Sequence, residues 1–307
     1  MNAVPAATPL ASTRGLGLAL TGVVIFAMTL PMTRLAVGSA ADPQLAPLFV
    51  AAARAALAAG CAALYLLATR APWLRHRDLP AMGVCALGTV FGFPLFIGLA
   101  LREVDAMHGA VVTGVLPLAT AAVAALWWRE RPSAGFWACA VAGCALVLGY
   151  AVLAGGGRLV GADAWLLAAV ACGAVGYVAG AVLSQRLPAE QVICWVLVLS
   201  LPLTAPLALL SWPTHAVRGS AWLGLGYVAL FSMWLGFFAW YRALAIGGTV
   251  RVSQVQLLQP FLGLLFAVPV LGERLDPSTL AFAVAVIGTV FIGRKMPVAR
   301  PVQEVRS

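Results

Sequence analysis

Apolar residues run along this chain in stretches of about twenty, separated by short polar or basic connections. Ten stretches can be marked, at 17–37, 46–69, 80–101, 107–128, 134–154, 163–184, 191–212, 221–243, 249–271 and 277–294. A helix of roughly 20 apolar residues matches the hydrocarbon thickness of a bilayer. Backbone N–H and C=O groups in lipid must be paired within their own segment, so each stretch predicts a transmembrane α-helix. The connections leave no room for a soluble domain. The predicted fold class is therefore an all-α integral membrane protein with ten transmembrane helices. The first stretch is too long for a signal-peptide core and reads as the first spanning helix.

Composition supports lipid as the solvent. Hydrophobic residues make up 63% of the chain and charged residues 9%, against about 25% charged in a soluble domain. The net charge of +9 does not point to nucleic acid, because the basic residues lie between the apolar runs rather than in one patch. Arg34, Arg102, Arg158, Arg218 and Arg274 fall on one set of connections, and Arg54 falls inside a helix. The other thirteen of the 19 Lys and Arg lie on the opposite set or at the termini. That bias predicts both termini in the cytoplasm. Cys61, Cys85, Cys139, Cys144, Cys172 and Cys194 lie in or beside apolar runs, with no CxxC pair and no His/Cys cluster at metal-ligand spacing. They read as small membrane-embedded hydrophobes, so neither a metal nor a cofactor is expected.

The two halves resemble each other. A shift of 143 residues places Ala100-Leu101 on Ala243-Leu244, Pro117 on Pro260 and Glu130-Arg131 on Glu273-Arg274. A shift of 152 places Arg34-Leu35 on Arg186-Leu187. This predicts five-helix units at 1–157 and 158–307, linked at Gly155-Gly156-Gly157. Five is odd, so the second unit enters the membrane inverted, a recurrent transporter plan with the site between the repeats.

Candidate site residues follow from polarity at membrane depth. Helix nine carries Ser253, Gln254, Gln256 and Gln259 ahead of Pro260. Ser253, Gln256 and Gln259 share a face, and Pro260 frees the carbonyl of Gln256. These groups either line a cavity or tie helices together. Thr29 and Thr33 flank Pro31 in helix one and either re-pair its backbone or meet a ligand. Arg34 reads as an interfacial anchor. Arg54 is the one charge well inside a helix, about 12 Å from its outer end at 1.5 Å per residue. Its two readings are a structural cation that snorkels or bonds carbonyls, and a contact for a substrate carboxylate or phosphate. Trp234, Phe237 and Tyr241 share a face of helix eight and form either an aromatic wall or, with Trp240 at the inner end, part of an interfacial belt; Phe93 in helix three and Tyr177 in helix six are further cavity candidates, while Trp127, Trp128 and Trp195 read as interfacial belt. Gly88/Gly92 and Gly176/Gly180 have GxxxG spacing, which serves either packing within the chain or a homodimer. All ten acidic residues fall in loops, helix ends or tails. With no carboxylate at membrane depth, a facilitator or exchanger is expected, and His108, near the start of helix four, remains a candidate proton site.

The stretch Tyr241–Lys295 contains Arg242-Ala243-Leu244, Leu258-Gln259-Pro260 and Gly272-Glu273-Arg274-Leu275, and it closes on the apolar run Ala281–Gly293. It resembles the second repeat of the EamA family of the drug/metabolite transporter superfamily. Arg54, Pro117 and Glu130-Arg131 are weaker first-half counterparts. The resemblance implies ten helices in a 5+5 inverted-topology repeat, a central cavity, and movement of metabolites such as amino acids, often outward. Small multidrug members of that superfamily carry a carboxylate in the first helix; Gly17–Val37 carries none here.

The expected function is alternating-access transport of a neutral or zwitterionic metabolite across a bacterial-type inner membrane, most simply an amino acid for export. The cavity is expected between helices one, three, four, six, eight and nine. The expected partners are a small-molecule substrate and the lipid bilayer, not nucleic acid. An enzyme is not expected, since no nucleophile–base pair or paired carboxylate occurs. The alternatives are a non-transporting helper or sensor subunit and, behind it, an intramembrane enzyme.

Overall fold

The computed structural model describes residues 9–127, 131–154, 156–157, 159–247, 255–296 and 298–299. Eight of the described helices are long and apolar enough to cross a membrane. They are α1 (Gly15–Val37), α2 (Pro47–Ala68), α3 (His76–Glu103), α4 (Ala106–Trp127), α5 (Ala134–Ala154), α6 (Gly161–Ser184), α7 (Ala189–Leu210) and α8 (Gly219–Trp240). Two shorter apolar helices follow, α9 (Gln259–Leu271) and α10 (Pro277–Gly293). The 13 residues of α9 span only about 20 Å at 1.5 Å per residue, short of a hydrocarbon core. The expected first turns of helix nine, 249–254, lie outside the described residues. A two-residue antiparallel ladder joins β1 (Arg131–Pro132) to β2 (Val298–Ala299).

Helix ends follow local chemistry. Pro47 and Pro277 sit in first turns, where a missing N–H is not needed. Asp276 caps α10 by accepting from the backbone N–H groups of Ser278 and Thr279. Gly272, with φ of 71°, takes the left-handed position that ends α9.

Polarity is sorted for lipid. Leu64, Leu67, Leu87 and Leu223 face outward and are exposed, whereas Thr29, Arg54, His108, Asp163 and Ser232 are buried. The most extensive helix–helix contacts are α2 with α7, α1 with α8, α5 with α10 and α3 with α6. Gly88 is the closest point of the α3–α6 pair. A Cβ there would lie 2.5 Å from the carbonyl oxygen of Cys172 and 2.6 Å from the Cα of Gly176. Gly88, Gly92 and Gly176 are thus occupied by packing within one chain.

Several helices are irregular at mid-depth. α1 breaks at Met28, just before Pro31, and α4 breaks at Gly114–Val115, just before Pro117. A 3-10 turn, Gln256–Leu258, precedes Pro260. α3 and α8 each contain a π-helical stretch, Ala86–Gly92 and Val228–Leu235. Widened turns of this kind leave backbone groups less tightly paired and are common at functional sites.

Candidate functional site

The irregular segments surround one cavity, about 850 Å³ when counted with its open mouth. The break in α1 contributes Phe26, Ala27, Thr29 and Leu30. The π-helical stretches contribute Thr89 from α3 and Ser232 and Met233 from α8. The α4 break contributes Thr113, Gly114, Leu116 and Pro117, and α9 with its preceding turn contributes Gln256, Gln259, Pro260 and Gly263. Arg54 reaches in from α2, Phe93 from α3, Gly173 and Tyr177 from α6, and Phe237 from α8. Pro117 and Pro260 lack the N–H that would bond the carbonyl four residues back; the Gln256 carbonyl accepts instead from the N–H of Gln259, closing the 3-10 turn. The walls are otherwise aromatic and aliphatic.

A polar chain crosses one side of the cavity. Arg54 Nη2 donates to Ser232 Oγ at 3.1 Å, and Ser232 Oγ pairs with Thr29 Oγ1 at 2.8 Å. This links α2, α8 and α1. Arg54 is the one charged residue in the lining among the described residues.

Seven of the residues singled out by sequence come together here: Thr29, Arg54, Phe93, Tyr177, Phe237, Gln256 and Gln259. Ser253 lies outside the described residues. Thr33 is buried away from the cavity, with no hydrogen-bond partner for its hydroxyl. Trp234 packs on Phe238, ring centroids 5.2 Å apart, and does not line the cavity. His108 is also outside it: Nε2 meets Asp163 Oδ1 at 2.7 Å, both side chains are buried, and the imidazole lies against Tyr150. Its partner is 55 residues away in sequence, which no local pattern could reveal. Trp195, near the start of α7, is buried against Trp73. α2 was not among the expected cavity helices and enters through Arg54. Ser232, Thr89 and Thr113 were missed, because a lone hydroxyl in an apolar run carries no periodic signal.

One end of the bundle is tied together by polar contacts. This end carries the α1–α2, α3–α4, α7–α8 and α9–α10 connections. The Glu273 carboxylate accepts from the backbone N–H groups of Ala106 at 2.7 Å and Met107 at 2.8 Å, capping α4 from beyond the end of α9. Glu273 of the Glu-Arg pair after α9 therefore acts across the bundle. Arg34 donates to the Leu101 carbonyl and pairs with Asp105 at 3.5 Å, so it is a tie between helices rather than an interfacial anchor. Arg102 donates to the carbonyls of Val37 and Leu45, and Arg218 pairs with Asp42. Burial pushes the Glu273 carboxyl above its ordinary range; the two amides and Arg34 pull it back, and Asp105 adds to the rise. Among the described residues, the opposite end carries fewer such ties, with Arg186 on Asp78 at 3.2 Å and Arg242 near Glu190 at 3.7 Å.

A model described as the EamA-like transporter family matches the chain twice, over residues 13–152 and 160–293. The chain belongs to the EamA-like transporter family. It is similar to "Uncharacterized transporter YdeK" of Bacillus subtilis (strain 168), 46% identical over 276 residues that cover 89% of this chain and 94% of the relative. It is also similar to "Probable terminal-alkyne amino-acid exporter" of Streptantibioticus cattleyicolor, at 28% identity over 89% of this chain and 91% of that protein. A solved crystal structure matches with a TM-score of 0.61 at 22% identity, covering 92% of this chain and 97% of the other, which establishes a shared fold. Family and apolar helices together make this EamA-family chain a multi-pass membrane protein.

Proposed function

We propose that this EamA-family protein carries small metabolites, amino acids or related neutral and zwitterionic solutes, across a bacterial inner membrane by alternating access. The observation that carries the reading is the cavity itself: it lies among broken helices at mid-depth, with helices cross-tied at one end and an apolar lining set with a few polar groups. An amino acid fits that mixture better than a polyvalent anion. Export is favoured by the name of one distant relative, a probable amino-acid exporter.

The reading includes ten membrane-crossing helices in a 5+5 inverted repeat. Three things support it: the family model matches once in each half, the π-helical stretches of α3 and α8 begin at Ala86 and Val228, and the breaks before Pro117 and Pro260 correspond. With both termini cytoplasmic, the tied end faces outward, and the cavity belongs to an inward-facing state. The moving bodies are not the two sequence halves, because α2–α7, α1–α8, α3–α6 and α5–α10 each pair one helix from either half.

The test is counterflow in liposomes containing the purified protein, loaded with unlabelled amino acids and given a labelled panel without any ion gradient. Saturable uptake of one or a few amino acids is expected. A folded protein that exchanges none of them would remove amino acids as the substrate class.

A further inference from the structure

We infer that Arg54 holds the carboxylate of the solute, so that the cavity selects organic monoanions and zwitterions with an apolar body. This rests on the carrier reading above and narrows its substrate class.

Arg54 is only 4% exposed and lies seven residues into α2, at membrane depth. Its Nη2 bonds a neutral hydroxyl, that of Ser232, and its buried Nε has no partner. No Asp or Glu lines the cavity among the described residues, and Arg54 is in none of the ion pairs found there. An isolated cation in a low-dielectric interior is strongly disfavoured unless an opposite charge meets it. The protein does not supply that charge from the described lining, whereas a carboxylate entering the cavity does.

A guanidinium offers parallel N–H donors that match the two oxygens of a carboxylate. One cation balances one negative charge. A phosphate monoester, nearly dianionic at neutral pH, would bring a second charge that nothing in the described lining offsets. Phe26, Phe93, Phe237 and Met233 leave an apolar space for the rest of the solute. An ammonium group, where present, meets only neutral acceptors such as the amide oxygens of Gln256 and Gln259.

The test is the thermal unfolding midpoint of the full-length protein in detergent, titrated with L-leucine, 4-methylpentanoate, L-leucine methyl ester and isoamyl phosphate. In the native protein both carboxylates are expected to raise the midpoint, with the ester without effect and the phosphate weaker. Arg54→Gln is expected to weaken the carboxylates at least about tenfold, and Arg54→Lys to weaken them less, since lysine keeps the charge without the fork. A purely structural Arg54 would lower the midpoint of both variants and leave the preference for acid over ester intact. That outcome overturns the inference, as does an ester equal to its acid, a phosphate that binds better than the carboxylates, or no carboxylate effect at all. If Arg54→Gln does not fold, Arg54→Lys is read instead: a weakened preference for acid over ester supports the inference, and a preference equal to that of the native protein overturns it. Counterflow of an uncharged solute without carboxylate binding would sink this inference and leave the carrier reading standing. Carboxylate binding without any flux would do the reverse.

Discussion

Ser232 is where three helices meet through one hydroxyl. It accepts from Arg54 on α2 and pairs with Thr29 on α1 while riding on the widened turn of α8. A hydrogen bond to a buried charged donor is worth more than one between two hydroxyls. Ser232→Ala is therefore expected to destabilise the protein by about 1–3 kcal/mol, and Thr29→Ala by about 0.5–1.5 kcal/mol. Thermal unfolding in detergent measures both, and equal effects would mean that the Arg54 bond is not the stronger one. At this scale the sequence shows which residues are polar at membrane depth, but not what they touch. Arg54 and Gln256 stand out because charges and amides are rare there. Ser232 does not, since one serine among aromatic neighbours breaks no rule. His108 stands out equally, yet its pairing with Asp163 takes it away from the cavity.

Among elements, helix extent is the most legible property, because the length of an apolar run is set by the bilayer. The interior of each helix is less so. Prolines 31, 117 and 260 mark breaks that the structure realises; the π-helical stretches of α3 and α8 contain no proline, although Pro94 follows the first of them by two residues. The GxxxG spacing of Gly88 and Gly92 reveals a close approach but not its partner, which is α6. Gly88→Ala would thrust a methyl group at backbone on that helix, not at a side chain that can turn aside. A loss of about 1–3 kcal/mol is expected from such overpacking. Gly60, with nothing within 4 Å of its would-be Cβ, is the control; Gly60→Ala is expected to stay within about 0.5 kcal/mol. Comparable losses at both positions would mean that α3 and α6 do not meet as closely as described.

The whole molecule depends on how the helices interleave. Resemblance between the halves can be read from aligned prolines and Glu-Arg pairs, but the pairing of helices across the halves cannot, because it is decided by surfaces far apart in the chain. Interleaving couples the two ends of the cavity: loosening the tied end must shift helices that also shape the other. Glu273 ties the end of α9 to the start of α4.

The most direct test is a pair of distances in reconstituted protein whose native cysteines have been replaced. Spin labels at Ala41 and Leu275, both exposed, report the tied end; labels at Gln185 and Arg242, also exposed, report the opposite end. The account predicts reciprocal change: as a transported solute is added, one distance lengthens while the other shortens. Glu273→Gln shifts the same balance toward an open tied end without solute. Two distances that lengthen together, or that never move while solute flux proceeds, would contradict alternating access around this cavity.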